Sequence, residues 1–510
     1  MFDWESLVKK TISRFIFPVL LFTFIIIFFA KGINNYFLGD DWFHLNVTQI
    51  NNWREFLNFF NPLENPQQTA FYRPIPNQLF FFIIQSFFGF KPFYYHLPVY
   101  LLYLSSIYFF HRLLILLNFS KNSRRFAVLI YSLSATHFTR LFFISAAQEF
   151  FMIFFVLLYF LFFLTEKKRF KIKAQLSLIA ALLSKDTAVV APIIIFFIQN
   201  QDFLFNKNVR KVKFKINQFF DKNLNFFISV FLVLVYLFIR FFVFNQRMIE
   251  DQAYQLNFSI KEAITSVYFY CWWLIGAPEL IQDYMPKFYL FLPRFFTDFG
   301  RSAYLLIFLA LLLLGLLIIN FAISYKKLKN IDNLKKIFLA LIFIFFGLLP
   351  FIFLPKHRFA IQLALPMLGM AMFLATIFNS HKKIFLTAIT LITFLSLNLL
   401  SIKMSEKSHY AITRAHISEK TSNYFLNNYP QVESNTVFFI TNGQTEGHEI
   451  ANWGSSRQVA FALWHDNFIQ AFYKDKSLQM KFEDLTDPNS LAKLEENNKV
   501  IYISAEALID

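Results

Sequence analysis

The chain has 510 residues, of which 56% are hydrophobic and 76 are phenylalanine, and its formal net charge is +17. This composition excludes an ordinary soluble domain, and a single cysteine, Cys271, excludes an internal disulfide framework. Apolar runs of 16 to 22 residues recur, the length that crosses about 30 Å of hydrocarbon, so the chain reads as an α-helical polytopic membrane protein. In chain order, spans are predicted over 15–31, 93–117, 126–143, 149–164, 174–184, 187–199, 224–244, 302–323, 337–354, 359–378 and 384–402, about 11 transmembrane helices. The first run lacks a small-residue cleavage site and reads as a retained anchor.

With the N-terminus inside, the segments 1–14, 118–125, 165–173, 200–223, 324–336 and 379–383 face the cytoplasm. They hold 24 Lys and Arg against 6 Asp and Glu, whereas the first outer loop, 32–76, holds two Arg against four acids. That asymmetry sets the orientation and accounts for most of the net charge, so nucleic-acid binding is excluded as its explanation. The run "IPNQLFFFIIQSFFGF" (75–90) would invert the later loops if it crossed. It is short and flanked by Pro74, Pro76, Gly89 and Pro92, so it is predicted to lie along the outer interface as a juxtamembrane helix. The short runs 174–184 and 187–199 are predicted to form a helical hairpin with "SKDTA" at its outer tip.

Beyond residue 402 polar residues return. "NTVFFIT" and "NKVIYIS" read as strands, and "AITRAHISEKTSNYFLNNY" and "SRQVAFALWHDNFIQAFY" as helices. The predicted division is therefore a transmembrane domain over 1–402, with its acidic motif and juxtamembrane helix in a first outer loop over 32–92, and a small extracytoplasmic α/β domain over 403–510. "GQTEGHE" (443–449) reads as a turn, and Trp272 and Trp273 as interfacial belt residues. The outer loop 245–301 carries no readable motif.

This topology brings the unusual polar residues to one face: Asp40, Asp41 and His44 after the first span; Arg73; His137, Arg140 and Glu149 around the second outer turn; Lys185 and Asp186 at the hairpin tip; and Lys356, His357 and Arg358 before the tenth span. Ionisable groups at membrane depth are costly and commonly functional. Each also has an ordinary reading: solvated loop acids for Asp40 and Asp41, a snorkelling anchor for Arg73, mutual neutralisation for Lys185 and Asp186, and packing for His137 and Glu149.

The order of these features resembles the C-type glycosyltransferases of the membrane (GT-C), the superfamily of the protein O-mannosyltransferases and the lipid A aminoarabinose transferase. "GDDWFH" matches the family's acidic pair. Arg73-Pro74 matches the basic-Pro step into a juxtamembrane helix, and "GFKPFYYHLPVYLLY" resembles the entry into the second span. "LLSKDTAVVAPIIIF" is similar to the hairpin step, and "HRFAIQLALPMLGM" to the late Arg-aromatic pattern. Two features depart from it: Asp41 replaces the commoner Glu, and the acid of the second outer loop is displaced to Glu149.

The resemblance implies transfer of a sugar from a polyprenyl-phosphate-linked donor to a protein, lipid or glycan acceptor on the outer face of a bacterial inner membrane. It makes Asp40 and Asp41 the catalytic acids, or ligands of a divalent cation such as Mg or Mn. Arg358, Lys185, Arg73 and His357 become the donor phosphate-binding set, with His44, His137, Glu149 and Asp186 near the donor or acceptor. The rival readings are a multi-pass transporter or flippase of lipid-linked sugars and a non-catalytic scaffold. Transporters place ionisable groups near the bilayer midplane, often in repeats, whereas here they gather at the outer boundary.

Overall fold

The computed structural model describes the chain except residues 1–3, 62, 64–71, 166, 206–215, 245–253, 287–289, 381–382, 444–453, 488–497 and 510, and except the side chains of 4–15, 203 and 216–222. The protein is a polytopic helical membrane protein with a small three-stranded sheet near its C-terminus. Among the described residues, seven helical stretches are long and apolar enough to cross a membrane: Ile16–Asn34, Pro92–Leu116, Ile144–Phe163, Asn223–Val243, Arg301–Leu328, Ala360–Asn379 and Ile384–Asn428. The other four predicted crossings lie on shorter or more charged helices, Lys121–Ser132, Lys168–Leu182, Ala191–Phe205 and Ile331–Leu348. Of the seven, Ala360–Asn379 is the most enclosed, with 83% of its window buried, and it packs against Ile331–Leu348 and Lys121–Ser132 at the centre.

The predicted span 126–143 is broken. Its helix ends at Ser132, and a 3-10 turn (Ala135–His137) and a short helix (Phe138–Phe142) follow. Ser134 causes the break locally: its hydroxyl accepts the Thr136 backbone N–H at 3.3 Å, a side-chain bond that competes with helix continuation. The hairpin forms as predicted, with Asp186–Val190 as a 3-10 turn between Lys168–Leu182 and Ala191–Phe205.

The stretch 75–90 is helical, a π-turn over Pro74–Leu79 running into Phe80–Phe88 and ending at Gly89. It sits at the end of the bundle that carries the hairpin tip, since the Ile75 N–H reaches the Leu183 carbonyl at 3.5 Å. The loop 245–301, silent in sequence, contains helices at Ile260–Ile275, Glu279–Tyr284 and Pro293–Phe299.

The helix of the last span runs to Ser408, past the predicted boundary at 402, and a second helix, Tyr410–Asn428, follows at once. Strands β1 (Val437–Thr441), β2 (Gln479–Phe482) and β3 (Val500–Ser504) pair in parallel in the order β2-β1-β3. The sequence reading anticipated β1 and β3 and missed β2. The single helix expected from "SRQVAFALWHDNFIQAFY" is two, Ser455–Leu463 and Asn467–Tyr473. Trp464 and His465, at φ 53° and 59°, turn the chain so that the second helix packs on Asp40–Val47. All but Gly443 of the predicted turn 443–449 lies outside the described residues, as do 206–215 and 381–382 of the predicted cytoplasmic segments.

Candidate active site

The acidic pair opens the helix Asp40–Val47, entered through Gly39 at φ 48°, a left-handed conformation that favours glycine. The two acids have different surroundings. Asp41 is fully buried, and both its oxygens are taken: Oδ1 accepts the Ser145 backbone N–H at 2.7 Å and its hydroxyl at 2.5 Å, and Oδ2 accepts the Leu38 N–H at 3.1 Å. Burial pushes its carboxyl up to about 7, against those hydrogen bonds and with a further upward push from Asp40. Asp40 is half-buried, and among the described residues no hydrogen bond reaches its carboxylate. Burial pushes it up to about 6, with Arg414 and then Arg73 pulling it down.

At the hairpin tip a second group forms. The Asp186 carboxylate is shared by Arg73 at 3.0 Å and Arg240 at 2.8 Å, and Arg73 also donates to Gln148 at 2.5 Å. Although burial acts upward, the two guanidinium groups hold the Asp186 carboxyl well below the usual carboxylate range. Beside it Lys185 pairs with Glu149 at 2.5 Å in a buried contact. Burial pulls the Lys185 ammonium below its ordinary value, opposed by Glu149 and reinforced by Arg73. Three cations from the first outer loop, the hairpin tip and the end of Asn223–Val243 are thus gathered within electrostatic reach of one another, and Arg73 links them to Asp40.

A third group centres on Glu279. Its Oε2 accepts the Thr139 hydroxyl at 3.1 Å and the Ala360 N–H at 3.0 Å, and its Oε1 lies 3.7 Å from His409 Nε2. Because His409 Nδ1 accepts the Ala411 N–H at 3.2 Å, the ring proton sits on Nε2, facing Glu279. This carboxylate ties the second outer turn to the start of the Ala360–Asn379 segment and to the junction before Tyr410.

The remaining predicted residues divide. Arg358 lies over the Phe269 ring at 5.2 Å and near Glu262 and Tyr270, neighbours different from those of Arg73 and Lys185; its Nη1 is buried without a partner. His357 packs on Tyr254 and Phe359. His44 is buried against Phe81, and burial, then Arg73, lowers it to about 3, so the ring is neutral. His137 is wholly buried among Tyr103, Tyr131 and Phe150, with Nε2 on the Tyr131 carbonyl at 2.7 Å.

A divalent cation does not fit the acidic pair. Asp41 has both oxygens engaged by N–H and O–H donors, Asp40 lies in the field of Arg414 and Arg73, and no group of three or more His, Cys, Asp or Glu able to hold a metal occurs among the described residues. Sequence reasoning missed Arg240, Glu279, His409 and Arg414. Arg240 had a visible signal, a lone arginine within an apolar span.

No protein-family model matches the chain, and no curated protein matches its sequence. Among solved structures, the chain is similar to ArnT from Cupriavidus metallidurans. The crystal structure bound to undecaprenyl phosphate matches with 11% identity and a TM-score of 0.43, covering 95% of this chain and 92% of that one. The apo structure matches with 11% identity and a TM-score of 0.36, covering 97% and 93%.

Proposed function

We propose that this protein is a GT-C-type glycosyltransferase that moves a sugar from a polyprenyl-phosphate-linked donor to an acceptor at the outer face of a bacterial inner membrane. The observation that carries the reading is the pairing of two unlike groups at one end of the bundle. A carboxylate without a hydrogen-bond partner among the described residues, Asp40, lies in the field of Arg73, and Arg73 belongs to the cluster with Arg240 and Lys185. The orientation rests on the excess of Lys and Arg in the opposite loops, which puts the N-terminus inside and the C-terminal domain outside.

In the proposed step the acceptor O–H or N–H attacks the anomeric carbon of the donor sugar, and its proton passes to Asp40. The bond from that carbon to the phosphate oxygen breaks, and its electron pair stays on the departing polyprenyl phosphate. Arg73, Arg240 and Lys185 stabilise the charge that develops there. Asp41 holds the Asp40 backbone in place through Ser145 and Leu38. Arg358, whose neighbours differ from those of this cluster, binds another part of the donor or acceptor.

The transporter reading finds less support, because the charged residues lie at helix ends and a hairpin tip rather than along mid-helix faces. Proteoliposomes loaded with a fluorescent polyprenyl-phosphate sugar separate the two. A transferase converts the donor to polyprenyl phosphate only when acceptor is added; movement of unaltered donor between leaflets, without conversion under any acceptor, contradicts the proposal.

A further inference from the structure

The C-terminal unit approaches the acidic pair with a guanidinium group. Arg414, on the helix Tyr410–Asn428, lies with its guanidinium 5.3 Å from the Tyr410 ring centre and 5.5 Å from that of Phe461. Phe461 belongs to the helix Ser455–Leu463, whose Ala462 carbonyl accepts the Gly39 N–H at 2.8 Å, immediately before the acidic pair. One turn beyond Arg414 on its own helix, the Ser418 hydroxyl accepts the Trp42 indole N–H at 2.7 Å, immediately after the pair. The two acids are therefore bracketed by contacts to the C-terminal unit. Two aromatic faces hold a guanidinium plane by cation–π attraction while leaving its edge for other groups.

We infer that Arg414, clamped between Tyr410 and Phe461, is a further positioning residue of the site, through which the C-terminal unit orients the Asp40 carboxylate and keeps it ready to accept a proton. The inference rests on the reading of Asp40 as the base. The charged and titratable groups within electrostatic reach of Asp40 are Arg414, Arg73, Tyr410 and its neighbour Asp41, with Arg414 acting on it more than Arg73. Tyr410 is neutral at working pH, and Arg73 is already engaged by Asp186 and Gln148. Arg414 acts through Asp40, so its loss changes the pH at which the base works rather than the binding of donor.

The test measures transfer against pH in the full-length protein, for the wild type, Arg414→Gln, Arg414→Lys and Phe461→Leu. Arg414→Gln is expected to move the acidic limb of kcat/KM to higher pH and to cut turnover at pH 6 by about tenfold or more, with the donor KM unchanged. Arg414→Lys, which keeps the charge, recovers most of the limb. Phe461→Leu, which loosens the clamp, shifts it the same way by less. In an Asp40→Asn background Arg414→Gln has no further effect. A uniform drop at all pH values, or a raised donor KM with the limb unmoved, overturns the inference while leaving Asp40 as the base. Near-normal turnover in Asp40→Asn alone removes the base reading instead.

Discussion

Asp40 and Asp41 are neighbours in sequence whose carboxylates have different surroundings, and the proposed reading gives them different tasks on that ground. Replacing Asp41 with Asn puts an amide N–H₂ where one oxygen now accepts the Ser145 or Leu38 N–H. One buried donor is then left facing another, a loss of about 1–3 kcal/mol. Asp41→Asn should therefore lower the midpoint of thermal unfolding in detergent, with the remaining folded protein still active. Asp40→Asn should leave the unfolding midpoint in place and cost about 10²–10⁴-fold in turnover. An unfolding loss in Asp40→Asn and none in Asp41→Asn would reverse the assignment.

The pH dependence follows from the same pair. As the proposed base Asp40 must be ionised, and burial raises it to about 6, so kcat/KM should fall about tenfold per pH unit below that value and level off above it. Asp41, raised to about 7, is coupled to it, and the apparent values belong to the pair. His44, lowered to about 3, stays neutral throughout, so His44→Gln should keep the limb; its disappearance would make a histidine the titrating group. The sequence made the acid pair legible as unusual. It did not show which acid is engaged, because Asp41's partner Ser145 is 104 residues away in sequence and carries no motif of its own.

Among the elements, those with a strong local signal were read correctly: the hairpin, the helix after Arg73-Pro74, and two parallel strands made of continuous apolar runs. β2 was missed because "QMKF" is four residues long and half polar, so its strand character comes from pairing with β1 rather than from its own pattern. The helices within 245–301 were missed because polar and aromatic residues interrupt their apolar periodicity. Glu279, which they position, was missed with them.

Gly276 shows how tightly that region is fixed. It ends the helix Ile260–Ile275 at φ 110°, and a Cβ there would lie 2.2 Å from Asn398 Nδ2. Asn398 cannot swing aside freely, since its side chain accepts the Ala135 N–H at 2.7 Å and donates to the Phe394 carbonyl at 2.8 Å. Strain and overlap together make Gly276→Ala destabilising by about 2 kcal/mol or more, read as a lowered unfolding midpoint. An unchanged midpoint would mean that this turn is not held by Asn398.

For the whole molecule, the apolar runs gave the class, and the charge pattern along the chain gives the proposed orientation, because insertion responds to composition over long stretches. It could not give the convergence of Arg240 with Arg73 on Asp186, which depends on how separate helices pack. If that cluster holds the donor phosphate, Arg240→Ala should raise the donor KM by about tenfold or more, and Arg358→Ala should raise it less. The reverse order would return the phosphate to Arg358. The orientation is tested separately: Lys91, exposed beside the juxtamembrane helix, when changed to Cys in a Cys271→Ala background should be labelled by an impermeant thiol reagent from outside the cell. Labelling only from the cytoplasmic side would invert the proposed faces.

The most direct measurement is release of polyprenyl phosphate from a polyprenyl-phosphate-linked sugar by purified protein in lipid, with and without acceptor, for the wild type and Asp40→Asn. In the proposed step the departing group is the lipid phosphate and the base serves the acceptor, so the wild type should release it only with acceptor present. Asp40→Asn should bind the donor with unchanged affinity and release it about 10²–10⁴-fold more slowly. No acceptor-dependent release by the wild type over a panel of glycan, lipid and protein acceptors, or equal release by wild type and variant, would contradict the account.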